Sequence, residues 1–147
     1  MAGTSMKDIT LKRNVYREAR ASGVLKLKPE TVELIRGNKV SKGDVEAVAS
    51  TAAVMAVKKT WEIIPLCHPI RITGIDVEFS YGDNYVRVDV TVRSTEKTGV
   101  EMEALAGVAT ALLTIWDMVK EYEKDEKGNY PDVSISEIKV EYKLKRE

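Results

Sequence analysis

Tyr85-Val86-Arg87-Val88-Asp89-Val90-Thr91-Val92-Arg93 alternates valine with polar residues without a break. Successive side chains of a strand point to opposite faces, so this pattern predicts a strand with one dry face and one wet face. Gly82-Asp83-Asn84, just before it, reads as a hairpin turn, which makes Arg71–Tyr81 its antiparallel partner. Downstream, Glu101–Glu123 predicts a long helix that holds no charged residue from Ala104 to Trp116. Past the loop Lys127-Gly128-Asn129-Tyr130-Pro131, a last strand over Ser136–Leu144 places Ile138, Val140, Tyr142 and Leu144 on one face. Upstream, Pro29 opens a short helix that runs to Arg36 and ends at Gly37-Asn38. Ser41–Ile64 then reads as one long helix, with Ser41 and Asp44 resembling a capping box and Pro65 as its stop. Val45, Val48, Ala49, Ala52 and Met55 share a face of it. Arg13–Leu27 is ambiguous: Tyr16–Arg20 is helix-prone and Gly23 stops it. Ile9–Leu11 adds a short strand, and residues 1–8 are a loose start. The order helix, strand, strand, helix, strand predicts an α+β protein of ferredoxin-like plan: an antiparallel sheet with two long helices on one face, in a single domain over residues 1–147.

Composition narrows the function classes. A chain of 147 residues is long enough to bury a core without disulfides or a structural metal. Its zero formal net charge argues against a generic nucleic-acid binder but leaves room for a local basic pocket. Cys67 is the single cysteine, so neither an intrachain disulfide nor a cysteine zinc cluster forms, which fits a reducing cytoplasm. Met1–Met6 has no apolar run, and Ala104–Trp116 is shorter than the roughly 20 residues a membrane helix needs. The expectation is a cytoplasmic protein with no membrane or nucleic-acid partner.

Four segments carry unusual residue sets. Pro65-Leu66-Cys67-His68-Pro69 sets the only cysteine beside the only histidine in a loop stiffened by two prolines. There His68 can donate to a phosphate or shuttle a proton. The same segment also reads as a plain turn with Cys67 as a small buried hydrophobe. Lys97-Thr98-Gly99-Val100-Glu101-Met102-Glu103 leads into the long helix, whose first N–H groups are open to an anion or a polar base edge. Glu101 and Glu103 also suit an ordinary helix start. In Trp116-Asp117-Met118-Val119-Lys120, an acid and a lysine lie one turn apart at the end of the apolar stretch. On an exposed face the pair is a minor salt bridge; half buried, it serves as acid and base, or equally as a structural ion pair. Lys42-Gly43-Asp44, at the start of the first long helix, suits a phosphate contact but lacks a full phosphate-loop pattern.

Together these strings resemble the cyclic pyranopterin monophosphate synthase family, the molybdenum-cofactor biosynthesis protein C type. The resemblance rests on Lys42-Gly43-Asp44-Val45, on Lys59-Thr60-Trp61 through Ile64-Pro65-Leu66-Cys67-His68-Pro69, on Lys97 through Leu105, and on Leu113 through Lys120. It covers most of residues 6–125, with Met6–Thr10 and Arg17–Ala21 matching more loosely. The chain departs from the family in two places. It ends in Ile138-Lys139-Val140-Glu141-Tyr142-Lys143 rather than a glycine-rich lysine tail, and Trp116 stands where tyrosine is common.

The resemblance implies a lyase that converts 3′,8-cyclo-7,8-dihydroguanosine 5′-triphosphate to cyclic pyranopterin monophosphate and pyrophosphate. By the same resemblance, Asp117 and Lys120 are the principal acid/base pair, and Lys42 is a further catalytic or phosphate-holding cation. Leu66, Cys67, His68, Glu101, Met102 and Glu103 line the substrate site. No redox cofactor or dedicated metal site is implied, although Mg²⁺ is compatible with the phosphates. A homohexamer, built as a trimer of dimers with shared active sites, also follows. If Lys42 and Asp117 come from different subunits of such a site, two dead variants complement each other. Asp117 and Glu103 are 14 residues apart, about 21 Å along one helix, which is far for one compact ligand. Two other readings compete: a non-catalytic ferredoxin-like module that binds a nucleotide as a regulatory ligand, and an RNA-binding α+β domain.

Overall fold

The computed structural model describes residues 3–147. Four strands form one sheet: β1 (Val15–Lys26), β2 (Gly74–Tyr81), β3 (Tyr85–Glu96) and β4 (Ser134–Arg146), in the order β2-β3-β1-β4. Every neighbouring pair is antiparallel. Between β1 and β2 the chain makes α1 (Pro29–Arg36), α2 (Val45–Lys58) and the short α3 (Thr60–Ile63); α4 (Glu101–Glu123) joins β3 to β4. The long helices α2 and α4 pack on each other, and α4 lies against β1, β3 and β4. This is the expected ferredoxin-like α+β plan.

The valine strand behaves as its alternation requires. Val86, Val88, Val90 and Val92 are fully buried under the helices. Its other face is less wet than expected, because Asp89 and Thr91 are also buried. Arg20 and Arg87 both pair with Asp89, Arg20 reaches Glu78, and Arg87 reaches Glu141. A lattice of ion pairs therefore roofs the middle of the open sheet face.

Several boundaries and faces differ from expectation. Arg13–Leu27 is mostly the central strand β1, paired on both sides, and not a helix. Its period-two pattern is carried by small residues: Ala19, Ala21 and Leu25 are buried on the helix side. A Cβ on Gly23 would come within 2.7 Å of Val108 and 2.9 Å of Leu112, so α4 sits directly on this strand. Ile9–Leu11 ends in a turn, not a strand. The Ser41–Ile64 helix begins only at Val45, where the Asp44 side chain accepts from the Ala47 N–H as N-cap, and it breaks at Lys59. Its buried face is Val45, Ala49, Ala53, Ala56 and Val57, while Val48 and Met55 point outward. In β4, Val140 pairs with Ala21 but Tyr142 pairs with Arg20, so a bulge at Glu141 reverses the alternation. Ile138 and Val140 therefore face α4, and Tyr142, which donates to Glu18 at 2.5 Å, lies on the open face with Leu144.

By length and composition α4 could cross a membrane, yet half of its apolar stretch is buried in the fold. Ala104, Val108, Ala111, Leu112 and Ile115 are fully buried, which makes it the core helix. Its last buried residue is Glu123, missed in the sequence because it sits among surface-like charges. Glu123 accepts from the Lys28 N–H at 3.0 Å and from the Thr31 hydroxyl, tying the start of α1 to the end of α4.

Candidate functional site

The long helix carries chemistry at both ends. At its C-terminal end, Asp117 and Lys120 lie one turn apart with Asp117 Oδ1 3.0 Å from Lys120 Nζ. Lys42 joins them from the turn before α2, its Nζ donating to the Asp117 carbonyl oxygen at 2.8 Å and lying 3.6 Å from Oδ2. Two local features aim Lys42 there. Gly43 has φ of 124°, a backbone conformation that L side chains rarely adopt. The Ser41 N–H donates to the Tyr122 hydroxyl at 2.8 Å, and its hydroxyl to Glu121, which docks the turn on the last turns of α4. Trp116 packs edge-on to Tyr130 with ring centroids 5.4 Å apart, so the aromatic at that position braces the loop after α4.

The sequence leaves open whether Asp117 and Lys120 pair on an exposed face or half buried; in the structure their side chains are 63% and 40% exposed. The cause is the helix end, where α2 has given way to its leading turn and the described residues leave the pair partly open. The hydrogen bond and charge of Lys120, with Lys42 adding, hold the Asp117 carboxyl below the usual carboxylate range, and Asp117 in return raises Lys120. Lys42 and Asp117 thus touch within one chain.

At the N-terminal end, Glu103 is 2% exposed and its Oε2 accepts from Cys67 Sγ at 3.5 Å. The Pro65–Pro69 loop is thereby tied to the first turn of α4. Burial pushes the Cys67 thiol up to about 11, with the neighbouring Glu103 charge adding to it. Cys67 is thus held as the thiol that donates to Glu103. Burial also raises Glu103 above the ordinary carboxylate range, and its Oε1 has no partner among the described residues. Glu101 pairs with Lys143 at 3.3 Å and lines a cleft of about 190 Å³ with Arg17, Gly99 and Lys145. Leu66 and Met102 are exposed beside this end, and His68 Nε2 lies 2.6 Å from the Lys7 carbonyl oxygen.

The residues singled out in the sequence thus form two clusters: Lys42, Asp117 and Lys120 at one end of α4, and Leu66, Cys67, His68, Glu101, Met102 and Glu103 at the other. Among the described residues, no three His, Cys, Asp or Glu side chains converge to hold a metal ion. Asp117 in particular is already satisfied by two ammonium groups. The structure thus sets two lysines around a carboxylate at one end of α4, and a thiol, a carboxyl and an imidazole at the other, on a ferredoxin-like α+β fold. The chain belongs to the MoaC family, whose model matches residues 6–145.

The chain is similar over nearly its full length to named proteins of several organisms. It is 57% identical to a protein of Pyrococcus furiosus over 99% of this chain and 93% of the relative. It is 59% identical to one of Aeropyrum pernix, over 99% of each. Both are named "Probable cyclic pyranopterin monophosphate synthase". A protein of Methanothermobacter thermautotrophicus, 54% identical over 99% of this chain and 91% of the relative, is named "Probable cyclic pyranopterin monophosphate synthase accessory protein".

Proposed function

We propose that this chain is a cyclic pyranopterin monophosphate synthase, a lyase of molybdenum cofactor biosynthesis. It converts 3′,8-cyclo-7,8-dihydroguanosine 5′-triphosphate to cyclic pyranopterin monophosphate and pyrophosphate. The observation that carries the reading is the Lys42–Asp117–Lys120 cluster, which lies within the residues matched by the family model and leaves its side chains exposed.

The reaction needs proton transfers at the opening purine and ribose rings, and a phosphate ring closure. In the closure a hydroxyl oxygen of the substrate attacks the α-phosphorus, the α–β anhydride bond breaks, and pyrophosphate leaves with the electron pair. Lys42 and Lys120 hold the triphosphate charge and stabilise the leaving group electrostatically. In the ligand-free site Asp117 is a poor base because two ammonium groups neutralise it. Phosphates that draw those ammoniums away return its proton affinity toward the ordinary carboxylate value. Asp117 then accepts a proton once substrate is seated, and Lys120 donates one. At the other end of α4, Cys67, His68 and Glu103 with Leu66 and Met102 hold the base and sugar, and Glu101 supports the helix start.

The two clusters are separated by most of one helix, and the cleft beside Glu101 is smaller than the roughly 300–1,000 Å³ usual for a small-molecule site. A second copy that brings its own Lys42–Asp117–Lys120 cluster to the Cys67–Glu103 end completes the site. The outward surfaces of α2 and α4 favour such association, since Val48, Met55, Met102 and Leu113 are all exposed there. We assign the chain to a homohexamer built as a trimer of dimers, working in the cytoplasm.

The test is incubation of the purified chain with the cyclised dihydro-GTP, with and without Mg²⁺. Formation of the pyranopterin product and one equivalent of pyrophosphate is expected. Tight binding without turnover under either condition overturns the catalytic reading in favour of a non-catalytic nucleotide-binding module, a role in keeping with the accessory name of one relative.

A further inference from the structure

His68 is the only histidine of the chain, and its Nε2 lies 2.6 Å from the Lys7 carbonyl oxygen. A carbonyl oxygen only accepts, so Nε2 carries the hydrogen. In the neutral ring Nδ1 is then the bare nitrogen and the only atom free to accept. Donation from Nε2 to a phosphate, one of the roles open from the sequence, is blocked while this contact stands.

Lys7 belongs to an arm over residues 3–14 that has no helix or strand. The arm buries little: Leu11 is 97% exposed and Met6 is exposed too. Apolar packing therefore does not place it. Polar contacts do. Asp8 Oδ1 accepts from the Thr10 N–H at 2.9 Å and from its hydroxyl at 2.5 Å, and the Lys12 N–H donates to the Ile9 carbonyl at 3.0 Å, closing the arm into a turn. The Thr10 carbonyl accepts from Lys97 Nζ at 3.1 Å. Arg17 in turn fixes that loop by donating to the Glu96 carbonyl at 3.1 Å and the Lys97 carbonyl at 3.3 Å. One arm thus bridges the two loops that frame the N-terminal end of α4: the Pro65–Pro69 loop through His68, and the loop before Glu101 through Lys97.

We propose that the arm over residues 7–10 is a positioning element of the substrate site. Its Lys7 carbonyl holds His68 in the Nε2–H tautomer, so that Nδ1 accepts a hydrogen bond from an N–H or O–H of the ligand. The group His68 selects is a donor on the base or sugar, and phosphate binding is left to the lysine cluster. The effect on turnover rests on the proposed synthase reading; the tautomer does not.

Nitrogen-15 NMR of the intact protein reads the single imidazole without assignment ambiguity. At about pH 8.5, alkaline to the usual imidazole range, the wild-type ring is expected to show a protonated Nε2, a bare Nδ1, and an Nε2–H proton protected from exchange. Replacing residues 6–10 by a Gly-Ser segment of equal length, or Lys97→Met alone, should speed that exchange and mix the tautomers. An Nδ1–H tautomer in wild type, or an imidazole spectrum unchanged in both variants, overturns the proposal whatever the activity. In turnover assays the arm replacement should raise KM for the cyclised dihydro-GTP by about tenfold, the effect of one hydrogen bond of ~1.4 kcal/mol. On a His68→Ala background it should add nothing further. Additive losses would mean that the arm does not act through His68. No turnover in wild type, with the tautomer result intact, would sink the synthase reading and leave the positioning of His68 standing.

Discussion

Asp117 is exposed and yet held ionised by its neighbours, so charge and geometry there are separable from stability. Its carboxyl is depressed chiefly by the Lys120 hydrogen bond, so the stabilisation it contributes is present above the ordinary Asp value of 3.8 and lost as pH falls through the depressed value. Exposure screens that contribution heavily. Asp117→Asn should therefore leave Tm within about 2 °C of wild type while product formation falls by at least about 100-fold. Retention of a tenth or more of the activity would remove Asp117 from the reacting groups. Glu103 is the opposite case. Burial raises its carboxyl above 4.5, so the folded state loses stability as pH rises from 4.5 through that raised value. Glu103→Gln removes the charge in nearly the same volume. Thermal melts across pH should show a gain over wild type at pH 7, about 2–4 °C for each kcal/mol recovered, that vanishes below 4.5. A gain that persists in acid would locate its cause in packing and not in the proton.

At the scale of elements, α4 is both the core and the ruler of the candidate site. Its bounds were legible because a charge-free run between acids at one end and Asp117 with Lys120 at the other has one helical reading. The β2–β3 hairpin was legible from strict alternation and a turn of Gly, Asp and Asn. β1 was not, because Tyr16–Arg20 favours a helix locally and the alternating face is Ala19, Ala21 and Gly23, which carry little hydrophobic signal. What makes it a strand is pairing on both sides and the pressure of α4 from above. Gly23→Ala tests this directly. Its Cβ would meet Val108, Leu112 and Ile138 at 2.7, 2.9 and 3.1 Å. We expect destabilisation by about 1–3 kcal/mol from overpacking, read as a lower Tm, despite the better strand propensity of alanine. An unchanged Tm would mean that α4 shifts freely on the sheet. The candidate site residues stood out as unusual strings. The Lys42–Asp117 contact was not, since it depends on how a turn before α2 docks on the far end of α4. Nor was the His68–Lys7 contact, because a backbone acceptor leaves no trace in residue type.

For the whole molecule, the decisive geometry is that each chain carries its two candidate clusters at opposite ends of one helix. Lys42 touches Asp117 in the same chain, so variants of these two residues cannot complement: in a mixed dimer every site keeps at least one defect. His68 and Asp117 lie at opposite ends, and a site shared across a two-fold interface takes one from each subunit. A mixed dimer of His68→Ala and Asp117→Asn then has one site with both defects and one with neither. Assayed with substrate well below KM, where a binding defect shows fully, co-expressed and doubly tagged material should recover up to about half of the wild-type activity per mixed dimer. Lys42→Ala mixed with Asp117→Asn should recover none. Recovery in the first pair alone fixes both the composite site and its division. Failure of both, with mixed oligomers confirmed by mass, would mean that one chain supplies each site whole, and that the two ends of α4 are brought together by a movement within the chain.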